Sequence, residues 1–149
     1  MTENTITVNL QQLADYRFET TFDPGMPTVI SDEPAPLGTG LGPSPVQLLC
    51  AAIGNCLSDS LLFAFRKFKQ VPEPIDCQVQ ASVGRNGAGR VRVLKIDATL
   101  KLGVAAHQLE NAERVLSQFE GFCTVTQSVG QGIPIHTRVV DAAGAVLYG

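Results

Sequence analysis

The sequence predicts an α+β domain, mostly antiparallel, built round one long apolar helix. Three observations carry this. Residues 5–9, 16–22, 77–84, 90–102 and 133–140 alternate in polarity with the period of two that half-buried strands show. Residues 44–69 are apolar nearly all round, the pattern of a buried central helix. The resulting order, β-β-β-α-β-β-α-α-β-β, is that of an α+β fold.

Residues 5–9 read as a short first strand. Residues 16–22 place Tyr16, Phe18, Thr20 and Phe22 on one face of a second. Asp23-Pro24-Gly25 is a turn, because proline presets φ and glycine accepts a positive one, and residues 28–31 return as the next arm. Residues 32–45 hold Pro34, Pro36, Gly38, Gly40, Gly42, Pro43 and Pro45, and so form a long irregular loop, a kind that is commonly functional in a compact domain. Its acids, Asp32 and Glu33, are expected to be solvated. Ser44 as N-cap and Pro45 at the first helical position open the helix. Pro72 and Pro74 stop it after about Lys69, and Gly54 weakens or kinks it just before Cys56. Residues 77–84 and 90–102 are strands joined through Asn86-Gly87, a hairpin signal. Residues 105–120 have helical spacing, with Leu109, Ala112, Val115, Leu116 and Phe119 on one side. Residues 123–129 form a further short helix, Gln131-Gly132 break it, and residues 133–140 are a last strand, extended after Ala143-Gly144 to Tyr148. No repeat or linker divides the chain, so residues 1–149 are expected to be a single domain.

Composition narrows the function. A net charge of −3 argues against nucleic acid, which calls for a basic patch. No basic cluster is larger than Arg66-Lys67 with Lys69, which is expected at a helix C-terminus, where the macrodipole favours it. With 44% hydrophobic and 17% charged residues, some apolar surface is expected to be buried between subunits. The membrane-like stretch 48–65 contains Asn55, Ser58, Asp59 and Ser60, and an Asp at a bilayer centre costs roughly 2.5–3.5 kcal/mol, so a core helix is expected there and no membrane. The first five residues carry no positive n-region, so no signal peptide is expected, and the location expected is cytoplasmic, with thiols reduced by default.

The cysteines at 50, 56, 77 and 123 have neither the spacing of a zinc site nor a C-x-x-C pair, and no metal or organic cofactor is expected. Cys56 and Cys123 each sit where an apolar segment meets small or hydroxyl residues, the setting of a thiol kept reactive. Brought together by the fold they make a peroxide-reducing pair; kept apart they are two core cysteines. Cys50 and Cys77 read as structural. Asp59 lies three residues after Cys56 on its helical face, and an acid there raises the thiol pKa, so the site calls for a compensating cation. His107 and His136 read as solvated or edge residues, which leaves a Cys-His hydrolase the weaker enzyme class.

The run Gly42-Pro43-Ser44-Pro45-Val46-Gln47-Leu48-Leu49, then Ala51-Ala52-Ile53-Gly54-Asn55-Cys56, resembles the OsmC/Ohr family of osmotically inducible and organic hydroperoxide resistance proteins. The Cys123 segment followed by Gly132-Ile133-Pro134-Ile135 is similar to the family's second cysteine motif and the strand after it. The resemblance implies an OsmC-like fold, an intertwined homodimer with sites at its interface, and thiol-based reduction of hydroperoxides. It makes Cys56 the peroxidatic cysteine, Cys123 the resolving one, and Arg17 the first candidate for the activating cation, ahead of Arg66 and Arg138. The implied partners are a second copy of the chain, an organic hydroperoxide, and a thiol reductant such as a small dithiol or a lipoylated protein.

Two positions depart from the family pattern. Peroxidase members carry an acid directly after the proline of the first motif, orienting the arginine, where this chain has Val46. The proline after the second cysteine is Thr124. Asp59 is a candidate for the missing acid. The alternative function is a relative with weakened peroxidase chemistry that binds a small apolar or electrophilic ligand at the same interface.

Overall fold

Three antiparallel strands in the order β1-β2-β3 make up the sheet of the first unit: β1 (Asn9–Ala14), β2 (Arg17–Thr21) and β3 (Val29–Ser31). The structure, a computed structural model, describes residues 2–149, which fall into two units, Met1–Leu48 and Leu49–Gly149. The first strand begins later than its alternation suggests, because the turn sets the pairing. Asp15 adopts φ of 50°, a left-handed conformation aspartate tolerates, and Gln12 Nε2 donates to its carbonyl. That turn pairs Leu10 with Thr20 and Asn9 with Thr21, at the last residue of β2, so residues 5–8 have no strand opposite them. The second turn forms as expected, with Met26 N–H donating to Asp23 O at 3.1 Å.

The long helix α1 (Pro45–Arg66) starts on a reciprocal cap. Ser44 Oγ accepts from the Gln47 N–H at 3.2 Å while Gln47 Oε1 accepts from the Ser44 N–H at 2.9 Å, which satisfies two otherwise orphaned donors. The helix ends three residues short of Lys69, whose φ of 56° takes the chain out of helical geometry before Pro72. By length and composition α1 is apolar enough to cross a membrane. In the second unit its face of Ile53, Leu57, Leu61, Ala64 and Phe65 is instead buried in the core with Ile96, Ala98 and Leu100. The opposite face is not enclosed: Ala51, Ala52 and Phe63 are exposed, so the helix is half buried rather than buried all round.

Four strands complete the second unit in the order β4-β5-β6-β7: β4 (Asp76–Arg85), β5 (Val91–Lys101), β6 (Ile135–Val140) and β7 (Val146–Tyr148). The β4–β5 hairpin turns on Asn86, whose Oδ1 accepts from the N–H groups of Ala88 and Arg90 at 3.0 Å. β5 and β6 are parallel, which demands a crossover, and residues 102–134 supply it. This crossover departs from the single helix expected over 105–120. It is a 3₁₀ turn (Ala106–Gln108), α2 (Ala112–Leu116), a second 3₁₀ turn (Phe119–Phe122) and α3 (Thr124–Val129). Asn111 in the left-handed conformation and Ser117, whose hydroxyl donates to Arg114 O at 2.7 Å, break the helical run at both ends of α2. Val115, Leu116 and Phe119 still reach the core, so the predicted apolar face is right although the helix is discontinuous.

Gly54 does not interrupt α1. A Cβ there would lie 2.8 Å from Val79 Cγ2 and 3.3 Å from Cys77 Sγ, so the glycine allows β4 to lie close against the helix.

Candidate active site

Cys56, Asp59, Ser60 and Phe63 project from one side of α1 at helical spacings of three, four and seven, and with Phe122 they line a cleft of about 410 Å³. Phe63 and Phe122 meet edge to face, ring centroids 5.6 Å apart, and Lys67 Nζ lies 5.0 Å from the Phe122 centroid. Both rings remain exposed, at 55% and 41%. Asp59 accepts a hydrogen bond from Asn55 Nδ2 at 2.9 Å.

Cys123 arrives from the crossover. It is the N-cap of α3, fully buried, with Sγ accepting from the Thr126 N–H at 3.4 Å. The fold brings it beside Cys56, close enough that the Cys123 thiol and the Val125 backbone both act on the Cys56 sulfur. Burial first, then the Cys123 thiol, push the Cys56 pKa up; the Val125 N–H pulls it down, and the Asp59 charge pushes it up again. The balance is a raised pKa, so within the second unit this thiol is restrained rather than activated. Both cysteines are free, as are Cys50 and Cys77. Those two line a different cleft, of about 430 Å³, with Gly54 and Ser58, where burial pushes the Cys77 thiol up.

The arginine candidates have separate surroundings. Arg17, at the start of β2 in the first unit, donates from Nη2 to Thr39 Oγ1 at 3.0 Å, and its Nε lies 3.7 Å from Asp32 Oδ2, an ion-pair distance. Arg66 is committed to Glu73 at 2.6 Å, and Arg138 is an exposed residue of β6. His136 lies 3.7 Å from Asp97 on the sheet with its side chain exposed, and the groups acting on the Cys56 thiol are Cys123, Val125 and Asp59. Among the described residues no group of three or more His, Cys, Asp or Glu is placed to hold a metal.

Asp32 is the residue that the sequence conceals. Expected to be solvated, it is 3% exposed and accepts hydrogen bonds from the N–H groups of Glu33, Thr39 and Leu41 and from the Thr39 hydroxyl. These donors hold its carboxyl at a pKa of about 2, the Thr39 hydroxyl contributing most. The one trace in the sequence is Gly38, where a Cβ would lie 2.5 Å from Asp32 Oδ1.

Comparison with known proteins places this arrangement. A search of curated proteins gives no significant match. Solved structures agree in fold. An OsmC-like protein of Mycoplasma pneumoniae superposes with a TM-score of 0.76 at 13% identity, over 94% of this chain and 99% of that one. An organic hydroperoxide resistance protein of Elizabethkingia anophelis gives 0.73 at 15% identity, over 94% and 98%. The organic hydroperoxide resistance protein OhrB of Bacillus subtilis gives 0.68 at 14%, over 91% and 98%. At these identities the likeness is one of fold. The sequence profile of the OsmC-like proteins matches residues 38–138, which take in both Cys56 and Cys123, and on that match the chain belongs to the OsmC-like protein family.

Proposed function

We propose that the protein is a thiol-dependent peroxidase that reduces organic hydroperoxides, and hydrogen peroxide less efficiently, in cytoplasmic defence against oxidative stress. One observation carries the reading: the neighbouring Cys56 and Cys123 thiols, the first of them lining an apolar cleft. The Cys56 thiolate attacks one oxygen of the hydroperoxide; the O–O bond breaks, the alcohol leaves with a proton, and Cys56 becomes a sulfenic acid. The Cys123 thiol then attacks that sulfur, water departs, and a disulfide forms. A dithiol, small or lipoyl, exchanges with the disulfide, restores both thiols and is itself oxidised. The aromatic mouth, Phe63 and Phe122, favours an apolar peroxide over a water-like one. Arg17 is proposed as the cation that stabilises the thiolate, and a homodimer as the working state.

The raised Cys56 pKa, together with Val46, favours the second reading, a relative that binds an apolar or electrophilic ligand at the same thiol. One assay separates them. Reduced protein is mixed with cumene hydroperoxide and free thiols are counted over time. The peroxidase loses two thiols rapidly, and Cys56→Ser abolishes the loss. Slow loss that does not depend on Cys56 sinks the peroxidase and leaves the binder.

A further inference from the structure

A cation that stabilises a thiolate must itself be held, since a free arginine side chain loses rotamer entropy on becoming ordered. Arg17 is held at two points of one assembly. Its Nη2 donates to Thr39 Oγ1 at 3.0 Å, and that hydroxyl in turn donates to Asp32 Oδ2 at 2.7 Å. Its Nε lies 3.7 Å from the same Oδ2, and neither contact uses Nη1. We infer that Asp32 is the positioning carboxylate of the site, fixing Arg17 directly and through the Thr39 hydroxyl, in a chain whose position after Pro45 is Val46 and offers no charge.

The carboxylate suits that task. It is buried, and it is immobilised by fixed donors: Glu33 N–H to Oδ1 at 2.8 Å, and Thr39 and Leu41 N–H to Oδ2, both at 3.3 Å. Its own N–H donates to Pro43 O at 3.1 Å, so one residue ties both ends of the irregular loop. Gly38 leaves the space that the carboxylate occupies. A carboxyl held near a pKa of 2 stays charged at any pH at which the thiol ionises, so Arg17 keeps its counter-ion throughout.

The inference rests on the peroxidase reading, in which Arg17 serves the Cys56 thiolate, and the experiment separates the two. Alkylation of Cys56 by iodoacetamide is followed against pH by peptide mass spectrometry in reduced protein. Arg17→Ala is expected to raise the apparent Cys56 pKa by about one unit and slow alkylation about tenfold at neutral pH. Thr39→Val, which removes only the bridging hydroxyl, and Asp32→Asn are each expected to slow it at least about threefold, and the Asp32→Asn/Arg17→Ala double variant no further than Arg17→Ala alone. If Arg17→Ala slows alkylation while folded Thr39→Val leaves the pH profile unchanged, Asp32 is not the positioning residue and the inference is overturned. If Arg17→Ala itself changes nothing, the assignment of Arg17 to the Cys56 thiol falls, and the role of Asp32 falls with it. Should Asp32→Asn fail to fold, Thr39→Val decides alone.

Discussion

Asp59 and Asp32 carry the same charge and have opposite consequences. Asp59 stands one helical turn from Cys56, hydrogen-bonded to Asn55, and its charge raises the thiol pKa. The helical spacing shows that much in the sequence. It does not show which acid holds an arginine: within the first unit Arg17 pairs with Asp32. Asp59→Asn is therefore expected to lower the apparent Cys56 pKa by less than about one unit and to speed its alkylation several-fold at neutral pH, as thiolate absorbance during a pH titration can show. A slower variant would mean that Asp59 has a constructive part at the thiol after all. The burial of Asp32 was illegible because it depends on backbone donors seven and nine residues along an irregular loop, which has no periodicity to read.

At the level of elements, local chemistry announced itself well. Ser44 and Pro45 mark the start of α1, and the turns at Asp23-Pro24-Gly25 and Asn86-Gly87 lie where their residue types put them. The errors arose where a neighbour or a turn decides. Residues 5–8 alternate but lack a partner strand, and the crossover has an amphipathic face but breaks at Asn111 and Ser117. Gly54 belongs with these, since its contacts with Val79 and Cys77 come from β4 and not from its own helix. Gly54→Ala adds about 1 kcal/mol of helix propensity, but a stiff β-branched Val79 stands 2.8 Å from the new methyl. Overpacking of about 1–3 kcal/mol exceeds that gain, so the variant is expected to be net less stable by roughly 1 kcal/mol. A urea midpoint at or above that of the parent protein would contradict the close-approach account.

For the whole molecule the telling quantity is apolar surface. All six residues of β1 are exposed, and Ile6, Leu10, Leu41, Phe63, Val71 and Val146 each leave more than half of their surface to solvent. The proposed homodimer would cover part of this surface. With the proposed homodimer as occupant, sedimentation of the reduced protein at micromolar concentration is expected to give twice the 15.9 kDa mass of the chain. A single-chain mass would count against it. The sequence by itself determined the α+β class, the long helix with its cap and stops, and the two motifs that put Cys56 and Cys123 under suspicion, because capping, turn chemistry and periodicity act over a few residues. Only the tertiary structure decided that those thiols meet, that the helix is half buried, and that Arg17 is held by Asp32. Each of these depends on groups far apart in the chain, and local pattern has no means of recording which distant neighbour the fold will supply.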